Sequence, residues 1–119
     1  MKNKKTNPEL VNLILELKKK ARESDAPIWR DVALRLEGPN RNRAEVNVSK
    51  IDRFAAPNET VVVPGKLLGA GEIKKPVTVA AYAASAGAVE KITRAGGRVL
   101  TLRELMAENP KGTNVRILG

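Results

Sequence analysis

From Ala44 onward the chain never holds one hydrophobic period for long. Ala44 to Val48, Thr60 to Val63, Val77 to Ala81, Arg98 to Leu100 and Val115 to Leu118 read as short strands, rich in β-branched residues or alternating in polarity. Short helical stretches lie between them: Ser49 to about Phe54, Ala84 to Ala95, and Thr101 to about Glu108. This alternation predicts a mixed α/β fold of short elements. There is not enough chain for a doubly wound sheet of six strands. The stretch Ala84 to Ala95 is rich in alanine and can approach a sheet closely; Ser85 is its expected cap and Gly96 its stop. Thr101 and Glu104 have capping-box spacing for the last helix, which Asn109-Pro110 ends.

The first third reads as helical. Thr6 and Glu9 have capping-box spacing around Pro8, and Leu10, Leu13, Ile14, Leu17 and Ala21 then define one apolar face. Asp25, as cap, opens a second helix whose buried side is Ile28, Trp29, Val32, Ala33 and Leu36, with Trp29 in the core. Gly38-Pro39 ends it. The expected organisation is a basic arm over residues 1–5 and one compact domain over 6–119, helical over 6–38 and alternating from 44 to 119.

Charge and missing residue types bound the function. The 22 basic and 13 acidic residues give a net charge of +9, so a polyanionic partner is expected. Both halves of the chain are positive. No cysteine or histidine is present, which excludes the usual zinc ligands, a thiol nucleophile, an imidazole base and a disulfide. A cytoplasmic location fits that usage. The basic start MKNKKTNPE has no apolar core of a secretory signal, and no apolar run approaches a membrane span. No carboxylate pair marks a catalytic site. Only three aromatic residues, Trp29, Phe54 and Tyr82, occur, and they are scattered. Binding of a nucleic acid should therefore lean on phosphates and shape. No enzyme activity, cofactor, metal, membrane or small-molecule substrate is expected.

The stretch VVVPGKLLGAGEIKKP, Val61 to Pro76, tests that reading. It places Gly65, Gly69 and Gly71 and Lys66, Lys74 and Lys75 after a β-branched run. A Walker loop fails, because Leu67 follows Gly65-Lys66 where a Ser or Thr should stand, and Thr60 takes the place of the first glycine. The dinucleotide fingerprint fails too, since Lys74 sits at its third glycine. A strand follows Pro76, so no helix N-terminus is expected behind the glycines. What remains is a tight turn, and glycines of that kind also let backbone approach an RNA phosphate chain while the lysines supply charge.

The candidate RNA-binding residues are Lys2, Lys4 and Lys5 of the arm; Arg30 and Arg35, off the apolar stripe of the second helix; Arg41, Asn42 and Arg43 of the loop PNRNR; Lys50; and Lys66, Lys74 and Lys75. Arginines in a loop can grip phosphate bidentately. Lys18 to Lys20 serve either the helix dipole or a phosphate, and Arg94 and Arg98 are open to either reading.

Several segments resemble one family: Thr6-Asn7-Pro8, Ala26 to Ala33 (APIWRDVA), Val46 to Ile51 (VNVSKI), Thr60 to Gly69 (TVVVPGKLLG) and Ala95-Gly96-Gly97. Together they resemble the archaeal and eukaryotic large-subunit ribosomal protein family numbered eighteen-e, related to the bacterial family numbered fifteen. The compact length is similar to the archaeal form. The resemblance implies an irregular superhelix of β-β-α turns and a structural constituent of the large subunit. Its implied partners are large-subunit ribosomal RNA and other large-subunit proteins. Bacterial relatives carry a long Gly/Arg-rich extension, which this chain lacks ahead of its first helix, so deep threading into RNA is not implied. The competing readings are an extra-ribosomal architectural protein or RNA chaperone, and a small phosphate-handling enzyme.

Overall fold

The computed structural model describes residues 8–38 and 43–119. Helices α1 (Pro8–Glu23) and α2 (Pro27–Glu37) precede β1 (Ala44–Asn47), α3 (Val48–Phe54), β2 (Thr60–Leu68), β3 (Thr78–Ala84), α4 (Ala86–Arg94), β4 (Arg98–Thr101), α5 (Leu102–Glu108) and β5 (Val115–Ile117). The mixed α/β class expected from the alternation is the one observed. The strands form one sheet in the order β1-β2-β3-β4, and every pairing is parallel. Strand β5 also pairs with β2, beside Thr60 to Val62, while β1 lies beside Gly65 to Leu68. The two therefore share one edge of β2, placed end to end.

Parallel neighbours cannot be joined by a tight hairpin; the chain must cross back over a sheet face. Helices α3 and α4 make two such crossovers between neighbours, and α5 carries the chain from β4 back across to β5 on the far edge of β2. The connection from β2 to β3 is the segment 69–77 and contains no helix. It covers the sheet instead with Ile73, which is buried against Val77 and the α3–α4 core.

Side chains alternate across the sheet. Val61 and Val63 of β2 and Val79 and Ala81 of β3 point into a core with Val48 and Ile51 of α3 and Ala88 and Ile92 of α4. Val62 and Ala80 point the other way, to α1, α2 and α5. The expected apolar stripe of α1 is the buried one, with Leu13, Ile14 and Leu17 in that core and Leu10 and Ala21 packed on its margin. Trp29 is fully buried, and its Nε1–H donates to the Pro110 carbonyl at 2.7 Å, tying α2 to the turn after α5.

Three local expectations change. The glycine loop begins later than its sequence suggests, because β2 runs on to Leu68. A bulge between Val63 and Lys66 absorbs Pro64, which has no N–H to give the ladder, and pairing then resumes on both sides. Asp25 is not the cap of α2. It sits at φ 51° in the turn, and Ala26 takes the cap position without a side-chain bond; a turn this tight needs one left-handed residue, which aspartate tolerates. Strand β1 ends at Asn47, so Val48 already belongs to α3. The capping box of Thr6 lies outside the described residues, whereas that of Thr101 and Glu104 is formed with both bonds.

Gly65 is a packing requirement. A Cβ there would run into the backbone of Ala44 in β1, whereas one at Gly87 in the first turn of α4 would meet nothing within 4 Å. Gly65→Ala is therefore expected to destabilise the protein by roughly 1–3 kcal/mol or more. Gly87→Ala should stabilise it by up to about 1 kcal/mol. Urea unfolding of the two variants against the parent checks both signs.

Candidate nucleic-acid interface

The segment 69–77 is strapped to its neighbours by polar contacts. The Ala70 N–H donates to Asn47 Oδ1 at 3.1 Å, and the Ser49 N–H to the Ala70 carbonyl at 3.4 Å. The Lys74 N–H donates to Asp52 Oδ1 at 3.0 Å, and Lys75 Nζ to the Ala55 carbonyl at 3.0 Å. From the other side, Lys91 of α4 reaches the carbonyls of Gly69 and Gly71 at 2.7 and 2.6 Å. Lys91 was not singled out from the sequence. Only the return of the chain through β3 and α4 brings it over the loop, and no local pattern signals that.

The glycines turn out to serve protein packing. Gly71 lies at φ 85°, and a Cβ on it would strike Ser49. A Cβ on Gly69 would stand 2.9 Å from the Ala88 nitrogen and 3.0 Å from the Gly87 carbonyl carbon. A helix N-terminus does therefore adjoin the glycines, contrary to the expectation from the strand after Pro76. It comes from α4, one strand later. The close approach that glycine permits at Gly69 is thus to the first turn of α4.

Charge is distributed unequally between the two layers. Helices α1, α2 and α5 carry seven basic residues (Lys18, Lys19, Lys20, Arg22, Arg30, Arg35 and Arg103) and seven acidic ones (Glu9, Glu16, Glu23, Asp31, Glu37, Glu104 and Glu108). Many of these are matched: Lys18 with Glu37 at 2.7 Å, Arg35 with Asp31 at 3.0 Å, Arg103 with Glu16 at 2.8 Å, and Arg98 of β4 with Glu108 at 3.1 Å. Across the sheet, α3, α4 and the segment 69–77 carry six basic residues (Lys50, Arg53, Lys74, Lys75, Lys91 and Arg94) and three acidic ones (Asp52, Glu72 and Glu90). The first layer is electroneutral and the second is positive.

The sequence candidates fall unevenly on this frame. Lys50, Lys66 and Lys74 are exposed, the first and last on the positive layer. Lys74 borders an open groove of about 600 Å³ together with Lys91 and Arg94. Lys75 is half-buried by its bond to Ala55. Arg30 and Arg35 stand on the electroneutral layer. Arg43 is half-buried: it donates from Nη2 to the Leu36 carbonyl at 3.2 Å, closing the end of α2, and its guanidinium lies 5.4 Å from the Tyr82 ring centre. Arg43 and Lys66 meet in a second cleft beside Tyr82 and Glu45. Lys2, Lys4, Lys5, Arg41 and Asn42 lie outside the described residues. Among the described residues no cluster of acidic side chains could hold a metal ion, and no helix is long and apolar enough to cross a membrane.

The straps carry a pH signature. The Lys74 N–H beside Asp52 holds its carboxyl below the usual aspartate range, despite some opposing desolvation. A depressed folded pKa adds stability above the unfolded value and loses it as pH falls through the folded value. Asp52→Asn should therefore be less stable than the parent at pH 7, with the gap closing in acid below the ordinary carboxylate range; urea midpoints at pH 7 and pH 3 measure it. Lys91→Met should cost about 1.5–3 kcal/mol, as expected for lost charge-assisted bonds, and should speed amide exchange within 69–74 more than in β3.

Residues 40–100 match the family described as ribosomal proteins 50S-L15, 50S-L18e, 60S-L27a. The large ribosomal subunit protein eL18 of Methanoregula boonei is 54% identical over 114 residues, covering 96% of this chain and 94% of the relative. That of Archaeoglobus fulgidus is 53% identical over 115 residues, covering 97% and 98%. That of Halobacterium salinarum is 51% identical over 114 residues, covering 96% and 97%.

Proposed function

This chain belongs to the family of ribosomal proteins 50S-L15, 50S-L18e and 60S-L27a, and from that premise we propose that it is a structural constituent of the large ribosomal subunit that binds large-subunit rRNA through phosphate contacts. The relatives are named as ribosomal proteins, a structural and non-enzymatic family, in line with the reading of the sequence as no enzyme. The observation that carries the RNA reading is the uneven charge of the two layers. A sheet face covered by α3, the strapped crossover and α4 presents cations in excess, whereas the opposite layer cancels its own charge. A polyanion is drawn to the first face.

The contact set consists of Lys50 and Lys74 on that face and Lys66 at its strand end, joined by Lys2, Lys4, Lys5, Arg41, Asn42 and Arg43 on the grounds of residue type and family. Lys75 serves first to fix the loop. Arg30 and Arg35 are the weaker members, because their layer has no net charge. The expected surroundings are rRNA and other large-subunit proteins, within the ribosome.

Filter binding of a large-subunit rRNA transcript across a salt series tests this. About six phosphate contacts give a log–log slope of roughly −4 to −5. Replacing Lys66 and Lys74 by alanine should flatten it by about one for each lysine lost. A salt-independent affinity would overturn the mechanism.

A further inference from the structure

Phe54 is the aromatic side chain that the fold leaves in water. Trp29 is fully buried and Tyr82 half-buried beneath Arg43, whereas Phe54, at the end of α3, is 50% exposed. The Arg53 guanidinium lies over its ring, 5.9 Å from the ring centre. Both border a cleft of about 320 Å³ that also receives Glu45, Asn47, Ser49 and Lys50.

The lining decides what fits there. An apolar protein segment would want neighbouring apolar side chains, and this cleft has none besides Phe54. Lys50 precedes Phe54 by four residues on the same helix, so the two share a face. The layer around them holds the excess positive charge. A nucleotide supplies both matching halves: a flat base for an aromatic–guanidinium stack, and a phosphate for a lysine one turn away. The carboxylate of Glu45 repels phosphate and accepts from amino groups, which directs the phosphate to the Lys50 side.

We propose that Phe54 and Arg53 form a stacking platform for one unpaired RNA base, with Lys50 holding the adjoining phosphate. This rests on the rRNA-binding reading and adds base contact to the phosphate and shape recognition that the scattered aromatics imply.

The test uses the full chain, a fluorescein-labelled single-stranded oligoadenylate, and a strand of the same length with abasic sugars. The parent should bind the adenylate more tightly than the abasic strand. Phe54→Leu should lose roughly five- to 150-fold in affinity for the adenylate. Its affinity for the abasic strand and its salt slope should not change, since no phosphate contact is removed. Phe54→Tyr, which keeps the stack, should bind like the parent and also controls for folding. Equal affinity of the parent for the two strands, or of Phe54→Leu and the parent for adenylate, overturns the platform. The rRNA transcript separates the two failures. A salt slope that still depends on Lys66 and Lys74 leaves the rRNA reading standing while the platform falls; a flat response removes both.

Discussion

The rest of the molecule depends on the parallel pairing of β2 with β3. That pairing forces the chain to travel back over the sheet between Leu68 and Thr78. Elsewhere in the fold a helix makes such a journey and satisfies its own backbone. Here nine residues make it without one, so their backbone groups need partners from outside. Asn47, Asp52 and Lys91 supply several of them. The polar straps are thus a consequence of topology. They also fix the loop that presents Lys74.

The same topology explains the two-layer charge pattern. Helices α1, α2 and α5 pack on one side of β2 and β3 and close ion pairs among themselves, some across long sequence separations such as Glu16 to Arg103. The other layer shares its space with the crossover. Its acids are few, and Asp52 is engaged by the loop backbone. Arg94 pairs with Glu90, and Lys75 and Lys91 are held by backbone carbonyls, but cations outnumber acids there, and Lys50 and Lys74 stay exposed for a ligand that carries its own negative charge.

Much of the fold could be read from local chemistry. The apolar stripes of α1 and α2, the cap of α4 by Ser85 and the box of Thr101 and Glu104 all act within a few residues, so the sequence displays them. The length of β2 could not be read this way, because Pro64 and Gly65 look like a turn and become strand only through partners far along the chain. The role of the glycines was half visible. Their need for close approach was plain, but the surfaces approached are Ala44, Ser49 and the start of α4. Lys91 and Phe54 were hidden for the same reason: one is placed by a crossover, and the other is defined by what fails to cover it. The basic candidates were visible as a list, while their division between an electroneutral and a positive layer needed three dimensions.

Strands β1 and β5 complete a single edge of β2 between them. Residues 115–117 are made long after β2, and the Trp29 bond to Pro110 waits on the same late segment. During synthesis the amino half of that edge stays open until this stretch has left the exit tunnel. On the side of α1, α2 and α5 the core is completed by Val115 and Ile117 of β5. The helices of the positive layer all lie before Ala95 in the chain, whereas the opposite layer needs α5 and the strand at 115–117 for its completion.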